Sequence, residues 1–295
     1  MTKPSATIAV IAALACAAGA YYWAHGLGAV DRVSKAAQPP PASPGPAADK
    51  ATRASAAPTL SKIVEPSNRV AAADADAPLR PGEVLEFAAD VANLGNVGNL
   101  RLQIVGRRDF FGKNAWHLQA FARTENPLRM VFELDDQFDS YSDAVTLSSL
   151  QYEMHLNERG EKQESIQRMT TSGAERATAN VTQTHVVPGT RDPLGMMQYL
   201  RTVDWTKTHE VRGPVYDGHK LYDVRARLDG TAQNIAVPAG SFSASKIEIR
   251  VFDAGAELKD AHFALYLASD AARTPVLLEA VMPFATARVA LVKMK

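Results

Sequence analysis

Apolar and polar residues alternate with a period of two through much of the chain from Val84 onward. In residues 99–104, the apolar side chains of Leu100, Leu102 and Ile104 alternate with polar neighbours, which predicts a half-buried β-strand. The same alternation predicts further strands over residues 130–134, 150–156, 222–228 and 247–251. Because each predicted strand has one polar face, the pattern favours an antiparallel sheet over a buried parallel one.

Turn-forming residues separate the predicted strands. Asp217-Gly218 suits the positive φ angles of a tight hairpin turn. Asp229-Gly230 and residues 157–160 predict two further turns. Many strands and short turns with little helix predict an all-β, mainly antiparallel domain, built as a large curved sheet or an incomplete barrel.

One short helix interrupts the strands. Asp192 is its predicted N-cap and Pro193 its first residue. Leu194, Met197 and Leu200 follow at helical spacing. We expect this helix to plug one end of the sheet or to cover one of its faces.

An uncharged and largely apolar segment, residues 6–24, lies near the N-terminus. Its length is close to the roughly 20 residues that span a bilayer core. Lys3 precedes it and aromatic residues 21–23 close it, which suits a membrane helix with a cytoplasmic N-terminus. Three fates stay open: retention as a transmembrane signal anchor, cleavage of a signal peptide after Ala20, or lipidation at Cys16. All three deliver the rest of the chain to the same side of the membrane.

The composition changes after this segment. Residues 36–58 are mostly Ala, Pro, Ser and small polar residues, a composition that cannot bury a core and favours an extended spacer. We therefore predict a signal anchor or signal peptide (1–30), a disordered Ala/Pro-rich linker (31–59) and an antiparallel β domain (60–295). This organisation predicts a protein of the periplasm or cell envelope, anchored to the inner membrane or exported after cleavage near Ala20.

Composition and charge narrow the function classes. Apolar residues make up 46% of the chain, which is enough for a sizeable core. Lys plus Arg number 32, as do Asp plus Glu, and no basic stripe stands out, so a nucleic-acid-binding protein is excluded. Cys16 is the only cysteine, so the β domain has neither an internal disulfide nor a cysteine-ligated zinc site.

Short motifs in a fixed order cover nearly the whole predicted domain. They are PGEVLEF (81–87), LGNVG (94–98), the acidic stretch 135–143, RDPL (191–194), LR (200–201), VYDGHKLYD (215–223), VPAGSF (237–242) and YLASDAARTPV (266–276). Their order resembles the bacterial exported family catalogued as domain of unknown function 3108. Gly195 stands where that family usually has Ser, and Tyr266 where it usually has Trp. The resemblance implies an exported β-rich domain and brings no activity with it.

No metal or nucleotide motif is present. The seven histidines lack H-x-x-x-H and H-E-x-x-H spacing, and we expect solvated residues on polar strand faces, as at His117 and His155. Four acidic residues crowd one segment without the spacing of a calcium loop, so we interpret them as a solvated strand end or turn: Asp135, Asp136, Asp139 and Asp143. Neither a G-x-G-x-x-G nor a P-loop motif occurs.

Two further segments have a structural interpretation. Ser241 and Ser243 lack a G-x-S-x-G motif, which indicates a turn entering a strand. Asp270 and Arg273 are spaced to form an ion pair that defines the turn before Pro275. An exposed pair contributes only about 0–1 kcal/mol, so this pair would fix conformation rather than add stability.

These observations predict no enzyme, no cofactor and no metal. The leading hypothesis is a non-enzymatic envelope protein that binds a lipid or another apolar ligand on its curved sheet. The alternative is a structural or scaffolding protein that contacts other envelope proteins and fills its concave face with its own side chains. A third hypothesis is a hydrolase that gathers His219, Asp217 and Ser241 from different strands. The expected partners are the membrane, through the N-terminal segment, and a lipid or an envelope protein, but not nucleic acid.

Overall fold

The computed structural model describes residues 78–92, 94–173, 176–177, 180–281 and 286–295. The predicted leader and linker, the start of the predicted domain at residue 60, and the chemistry predicted for Ala20 and Cys16 lie outside these ranges. Within them, no helix has the length and apolar character that crossing a membrane requires.

The described residues form β-strands with one α-helix, α1 (Pro193–Thr202), and a 3-10 helix (Leu128–Met130). The strands β1 to β14 are, in chain order, Val84–Val91, Leu94–Phe110, Lys113–Thr124, Asp135–Asp143, Ser149–Glu158, Glu161–Thr170, Arg176–Ala177, Thr182–His185, Glu210–Tyr216, Leu221–Val237, Gly240–Asp253, Ala256–Ala268, Pro275–Val281 and Thr286–Met294.

All of these strands belong to one 14-stranded sheet. Its order is β7-β8-β6-β5-β4-β3-β2-β1-β14-β13-β12-β11-β10-β9, and every pair is antiparallel except β6 with β8. In the part of the chain that the structure describes, β7 and β9 are the edges, so the sheet is not closed. The predicted all-β, mainly antiparallel sheet with one short helix is confirmed.

A short segment before α1 connects the two halves of the open sheet. The amide of Ser149, at the start of β5, donates to the carbonyl of Thr190 at 2.9 Å. Arg191 forms a parallel bridge with Val215 of β9. Residues 190–191 therefore lie between strands that are far apart in the sheet order.

We distinguish the two ends of the sheet by the point at which the described chain begins, just before β1. The tether end holds the start of β1, the β2–β3 turn at Phe111 and the end of β14, because Val84 pairs with Gln103 and Leu85 with Met294. The far end holds the β1–β2, β3–β4 and β13–β14 connections.

The centre of the domain is filled by the chain's own side chains. Every second residue of β1 is buried, as period-two alternation predicts. Large inward side chains from strands across the sheet, such as Phe138, Tyr152, Met154, Ile247 and Leu265, are each no more than 2% exposed. A ligand-sized void among them would leave accessible surface on its lining. The inner face at these residues is therefore packed like an ordinary protein core.

Two elements predicted from the sequence are wrong. Residues 130–134 form the end of the 3-10 helix and a loop rather than a strand, and Met130 is 82% exposed. The hydroxyl of Thr124 holds this loop, because it donates to the carbonyl of Phe132 at 2.9 Å and accepts from the amide of Leu134 at 3.0 Å. Asp229-Gly230 is not a turn but a bulge within β10, and the hairpin continues to a turn at residues 238–239.

The predicted turns at Asp217-Gly218 and residues 157–160 are confirmed. Gly218 has a φ of 94°, and Arg159 and Gly160 have φ of 53° and 81°. The predicted helix is confirmed with Asp192 as its N-cap and Pro193 as its first residue. Its buried face is wider than predicted, because Met196, Gln198 and Arg201 are buried while Met197 is half-buried.

Candidate functional site

A buried carboxylate anchors the first turn of α1. Asp192 Oδ1 accepts from the amide of Gly195 at 2.8 Å, and Oδ2 accepts from Ser140 Oγ at 2.5 Å and from Ser149 Oγ. The amide of Asp192 also donates to Ser149 Oγ at 2.7 Å. Burial raises the pKa of Asp192. Both carboxylate oxygens have donors from β4, β5 or the helix, so this group positions α1 and has no free atom for catalysis.

A buried ion pair anchors the last turn of α1. Arg201 is fully buried, and Nη1 donates to Glu83 Oε1 at 2.6 Å while Nη2 donates to Oε2 at 2.9 Å. The guanidinium also donates to the carbonyls of Pro78 and Ala272, each at 3.0 Å from Nη2, and to Gln198 Oε1. Arg201 thereby joins α1 to the chain before β1 and to the β12–β13 turn. The last turn of the helix therefore lies at the tether end of the sheet.

The β10–β11 hairpin extends beyond its neighbour as an arm, which we define as residues 231–243. Pairing of β11 with β12 begins only at Ala244. Register shifts on either side of Gly230, together with a φ of 54° at Ala232, mark the base of the arm. At the tip, the amide of Ala239 donates to the carbonyl of Leu291 in β14 at 3.0 Å. The arm therefore reaches from β10 and β11 to β14.

The arm is amphipathic. Ile235, Val237 and Phe242 are half-buried and pack against the core, whereas Asn234 and Ser241 are exposed. This is the arrangement of a hairpin that covers apolar residues with one face. Unlike the fully buried residues at the centre of the sheet, the apolar side chains of the arm are only half-buried.

A polar cluster lies on the outer face of β3 and β4. His117 Nε2 contacts Asp139 Oδ1 at 2.7 Å, and Asp139 also accepts from Gln119 and Gln137, each at 2.7 Å. His117 and Asp139 are only 8% and 4% exposed. Burial opposes ionisation of Asp139, but the bonds from His117 and the two glutamines outweigh it and lower the pKa. The prediction of a polar strand face at His117 holds, but the histidine is buried rather than solvated.

Aromatic residues cover this cluster. The Tyr141 ring stacks on His117 with a centroid distance of 4.6 Å, and Phe110 stacks on Tyr141 at 4.4 Å. The next residue, Phe111, lies 3.9 Å from the guanidinium carbon of Arg168 on β6. The tip of the β2–β3 hairpin thus folds over the outer face, which explains how outward polar side chains become buried.

The four clustered aspartates do not form one site. Asp135 binds Arg129, Asp139 binds His117, and Asp143 accepts from the β4–β5 turn, whereas Asp136 points inward and accepts from the amide of Asn157 at 2.9 Å. Asp135 and Asp143 are partly exposed at a strand end and a turn, as predicted. Asp136 and Asp139 are only 3% and 4% exposed, so the prediction of solvated residues is wrong for these two. Among the described residues, no group of three such side chains is placed to hold a metal ion.

The three residues of the hydrolase hypothesis lie apart. Asp217 Oδ1 accepts from the amide of His219 at 2.8 Å in the β9–β10 turn. Ser241 pairs with Ala236 near the tip of the arm. The intervening length of β10 from Leu221 to Ala236 would span about 50 Å if straight, at about 3.3 Å per residue, and its bend at Gly230 still leaves Ser241 far beyond hydrogen-bonding reach of the turn. The geometry does not support a triad here.

The turn before Pro275 is fixed by different contacts from those predicted. Asp270 accepts from the amide and the hydroxyl of Thr274 at 2.9 and 2.7 Å. Arg273 instead donates to the carbonyl of Arg201 at 2.8 Å. The predicted Asp270–Arg273 ion pair is therefore wrong, because each partner has a nearer and less exposed acceptor or donor.

With the fold and these clusters described, comparison with known proteins places the chain. A family model described as Protein of unknown function (DUF3108) matches residues 86–292. The chain belongs to this family. No curated protein matches the sequence.

One solved structure has a fold similar to that of this DUF3108 domain, and others show weaker similarity. It is similar to a beta-barrel-like protein of domain of unknown function DUF1849 from Brucella abortus, with a TM-score of 0.52 and 10% identity, covering 73% of this chain and 97% of that chain. Similarity is weaker to a candidate lipoprotein from Parabacteroides distasonis, with a TM-score of 0.35 and 12% identity, covering 75% and 98%. It is also weaker to a candidate exported protein with a YmcC-like fold from Bacteroides fragilis, with a TM-score of 0.31 and 11% identity, covering 74% and 97%. At such identity the first likeness shows a barrel-like fold alone.

The two positions that depart from the usual DUF3108 pattern, Gly195 and Tyr266, both lie in close contact with neighbouring residues. A Cβ added to Gly195 would lie 2.9 Å from Ser142 Oγ and 3.2 Å from the carbonyl of Leu147, so the helix approaches β4 closely at this glycine. Tyr266 is buried and donates its hydroxyl to Glu279 at 3.0 Å, and burial together with this bond raises its pKa to about 12.

The buried polar groups around α1 were missed from the sequence of this DUF3108 domain. Arg201 follows Leu194 and Gln198 at helical spacing, so a charged residue on the predicted buried face was a usable signal. Ser140 and Ser142 likewise lie on the same face of β4 as Phe138 by period two. Nothing in the sequence, however, identified Asp192 as the partner of Ser140 or Glu83 as the partner of Arg201.

Proposed function

We propose that this chain is a non-enzymatic protein of the cell envelope, delivered or anchored by its N-terminal segment, whose domain binds an apolar ligand beneath the β10–β11 arm. The envelope location is supported by the uncharged segment at residues 6–24 and the spacer after it. A non-enzymatic role is supported by Asp192 and Asp139, whose carboxylates are engaged in fixing the helix and the outer face of β3 and β4.

The amphipathic arm carries the ligand-binding proposal. Ile235, Val237 and Phe242 stay half-buried although the centre of the sheet is tightly packed. A ligand lying between the arm and the end of β14 would complete their burial, which is favourable by about 25 cal/mol per Å² of apolar surface. The apolar ligand expected on the curved sheet is thus assigned to one end of it.

The test uses the full chain, extracted from a bacterial envelope with mild detergent, and mass spectrometry of its organic extract. Because detergent extracts carry bulk lipid, Phe242→Ser is compared with Ser241→Ala, a change on the exposed face of the same arm. We expect one amphiphile per chain in the wild type and in Ser241→Ala, and loss of that species from Phe242→Ser. Equal lipid in all three proteins would overturn the proposal. Ile235→Ser provides a second variant should Phe242→Ser fail to fold.

A scaffolding protein is the second candidate, and the packed centre favours it. Tyr152, Phe138 and Ile247 are no more than 1% exposed, so under this hypothesis the domain acts as a rigid body that contacts other envelope proteins. Absence of any stoichiometric amphiphile, together with specific crosslinks from the arm to one envelope protein in intact cells, would favour this candidate over the first.

A further inference from the structure

We propose that the tether end of the domain is a docking surface for an anionic lipid membrane, formed by the β2–β3 hairpin tip and the end of β14. The inference rests on the membrane tethering in the proposed function but not on the apolar ligand. It is carried by basic side chains that have no acidic partner and that surround exposed apolar residues.

The hairpin tip combines positive charge with an exposed ring. Phe111 is 73% exposed, and Arg107, Arg108 and Lys113 around it are all exposed. Among the described residues, none of these three forms a salt bridge within 4.0 Å. Asp109 is the single acid between them, so residues 107–113 carry three positive charges and one negative, a net charge of +2.

The end of β14 extends the same surface. Val292 and Met294 are 43% and 51% exposed, and Lys293 between them is exposed and forms no salt bridge with a described residue. Met294 pairs with Leu85, and the neighbouring Val84 pairs with Gln103 on β2. Through β1 this segment is level with Leu102 and Gln103 of β2, so it forms a second exposed basic and apolar group at the same end of the sheet as the hairpin tip.

Exposed apolar residues are also present at the far end of the sheet, but their basic neighbours differ from those at the tether end. Met130 and Val131 are 82% and 66% exposed there. Their basic neighbour Arg129, however, binds Glu133 at 2.5 Å and Asp135 at 2.7 Å. Arg159, which lies over the Phe132 ring at 5.0 Å, follows Glu158 directly in sequence. At the tether end, Arg107 and Arg108 contact the aromatic rings of Trp116 and Tyr141 and form no salt bridge with a described carboxylate. Cations beside exposed apolar side chains are the combination that anionic interfaces attract.

The described chain begins beside this surface. The amide of Gly82 donates to the carbonyl of Ile104 at 2.7 Å, so the chain reaches β1 directly beside the strand that leads to the β2–β3 tip. With residues 6–24 in a membrane, the tether end is the end to which the spacer is attached. Each basic residue near an anionic surface contributes about 1 kcal/mol, so a few such residues suffice once tethering has raised the local concentration.

The test uses the full chain with Cys16→Ser, reconstituted through its N-terminal segment into vesicles. An environment-sensitive dye is attached at Phe111→Cys or, as the matched control at the far end, at Met130→Cys. The vesicles contain phosphatidylcholine alone or with phosphatidylglycerol, and a lipid-borne quencher reports contact. We expect quenching at position 111 only with phosphatidylglycerol, and its loss near 1 M salt, where the screening length falls to about 3 Å. Position 130 should stay unquenched throughout.

Charge variants complete the test. Arg107→Gln with Arg108→Gln should lower the docked-to-free ratio about thirtyfold, because about 1 kcal/mol per arginine corresponds to about fivefold each. Equal quenching at positions 111 and 130, or quenching at 111 that ignores phosphatidylglycerol, would overturn the docking surface. Failure of the chain to float with either vesicle type would instead refute the membrane tethering, so the two failures are distinguishable.

Discussion

Arg201 and Glu83 form a bidentate ion pair, with distances of 2.6 Å for Nη1–Oε1 and 2.9 Å for Nη2–Oε2, across 118 residues of sequence. The arginine is fully buried and the glutamate side chain is 10% exposed. The pair joins the end of α1 to the residues just before β1. A buried pair contributes little relative to an apolar pair of the same size, but loss of one partner leaves a desolvated charge.

Replacing Glu83 by Gln tests this relationship. We expect the free energy of unfolding to fall by about 3–5 kcal/mol, because Arg201 keeps its charge and loses its counter-charge. Asp229→Asn is the matched control, since it removes the partner of Lys246 from a pair whose side chains are 37% and 29% exposed, and should lower the free energy of unfolding far less. Urea unfolding followed by the fluorescence of buried Trp116 and Trp205 measures both. A Glu83→Gln loss no larger than the control would show that the neutral acceptors around Arg201 suffice.

Asp136 should make the domain less stable as the pH rises toward neutrality. It is 3% exposed, and burial raises its pKa from 3.8 to about 7, with Glu158 and Asp135 adding to the rise. Between these two values the folded state holds a proton that the unfolded state has lost. The free energy of unfolding therefore falls as the pH rises through this window and levels off above it.

Asp136→Asn should flatten that profile. The variant keeps the acceptor for the amide of Asn157 and removes the charge. Its free energy of unfolding at pH 8 should therefore exceed that of the wild type by up to about 4 kcal/mol, because each unit of pKa difference corresponds to about 1.36 kcal/mol. The buried carboxyls of Asp192 and Asp217, whose pKa values are also raised, leave a residual slope of the same sign. Urea titrations at half-unit steps from pH 4 to pH 8 measure the profile, and parallel profiles for variant and wild type would contradict the assignment.

The strands of the sheet were predicted from the sequence more accurately than the side-chain contacts between them. Alternation identified β2, β5, β10 and β11, because one face of each is buried and the side-chain period of a strand is two. It failed at residues 130–134, where hydrogen bonds of the Thr124 side chain hold a loop of the same pattern. Local patterns report the face on which a residue lies, but not the partner it meets.

The candidate sites depend on those partners. Period two placed His117 on the outer face, but the covering rings of Tyr141 and Phe110 come from other strands, so its burial had no local signal. The basic surface at the tether end could not be predicted from the sequence for a related reason. Lys and Arg balance Asp and Glu over the chain, and the unpaired cations become a surface only when pairing brings the end of β14 beside β1 and β2.

Gly195→Ala should destabilise the domain although alanine is the better helix former. Alanine at an exposed helix position would gain about 1 kcal/mol over glycine. Here the added methyl group would lie 2.9 Å from Ser142 Oγ and 3.2 Å from the backbone carbonyl of Leu147. Overpacking of a buried contact costs about 1–3 kcal/mol, so we expect a net loss in urea unfolding.

A second substitution separates crowding from other effects of Gly195→Ala. Ser142→Gly removes the hydroxyl that the methyl group would meet, so the double variant should recover part of the loss relative to the sum of the two single variants. Strict additivity of the two changes would show that Ser142 is not the obstacle.

The arm should open more readily than the strands at its base. Residues 233–242 pair with neither β9 nor β12, whereas residues 223–227 pair with both β9 and β11. Few buried apolar contacts and solvent-exposed backbone hydrogen bonds mark segments that open locally at low free energy. Hydrogen exchange of the full chain in detergent, followed by mass spectrometry, should show faster exchange in 233–242 than in 223–227.

Phe242→Ala should speed exchange in the arm by about tenfold, which corresponds to a loss of about 1.4 kcal/mol from a half-buried ring, and should leave 223–227 unchanged. Phe121→Ala, a change of another half-buried ring on the outer face of β3, is the control and should not affect the arm. Exchange in 233–242 that is as slow as in 223–227 and insensitive to Phe242→Ala would mean that the arm is a fixed part of the core. A ligand could not then displace it, and the scaffold hypothesis would gain the support that the ligand hypothesis loses.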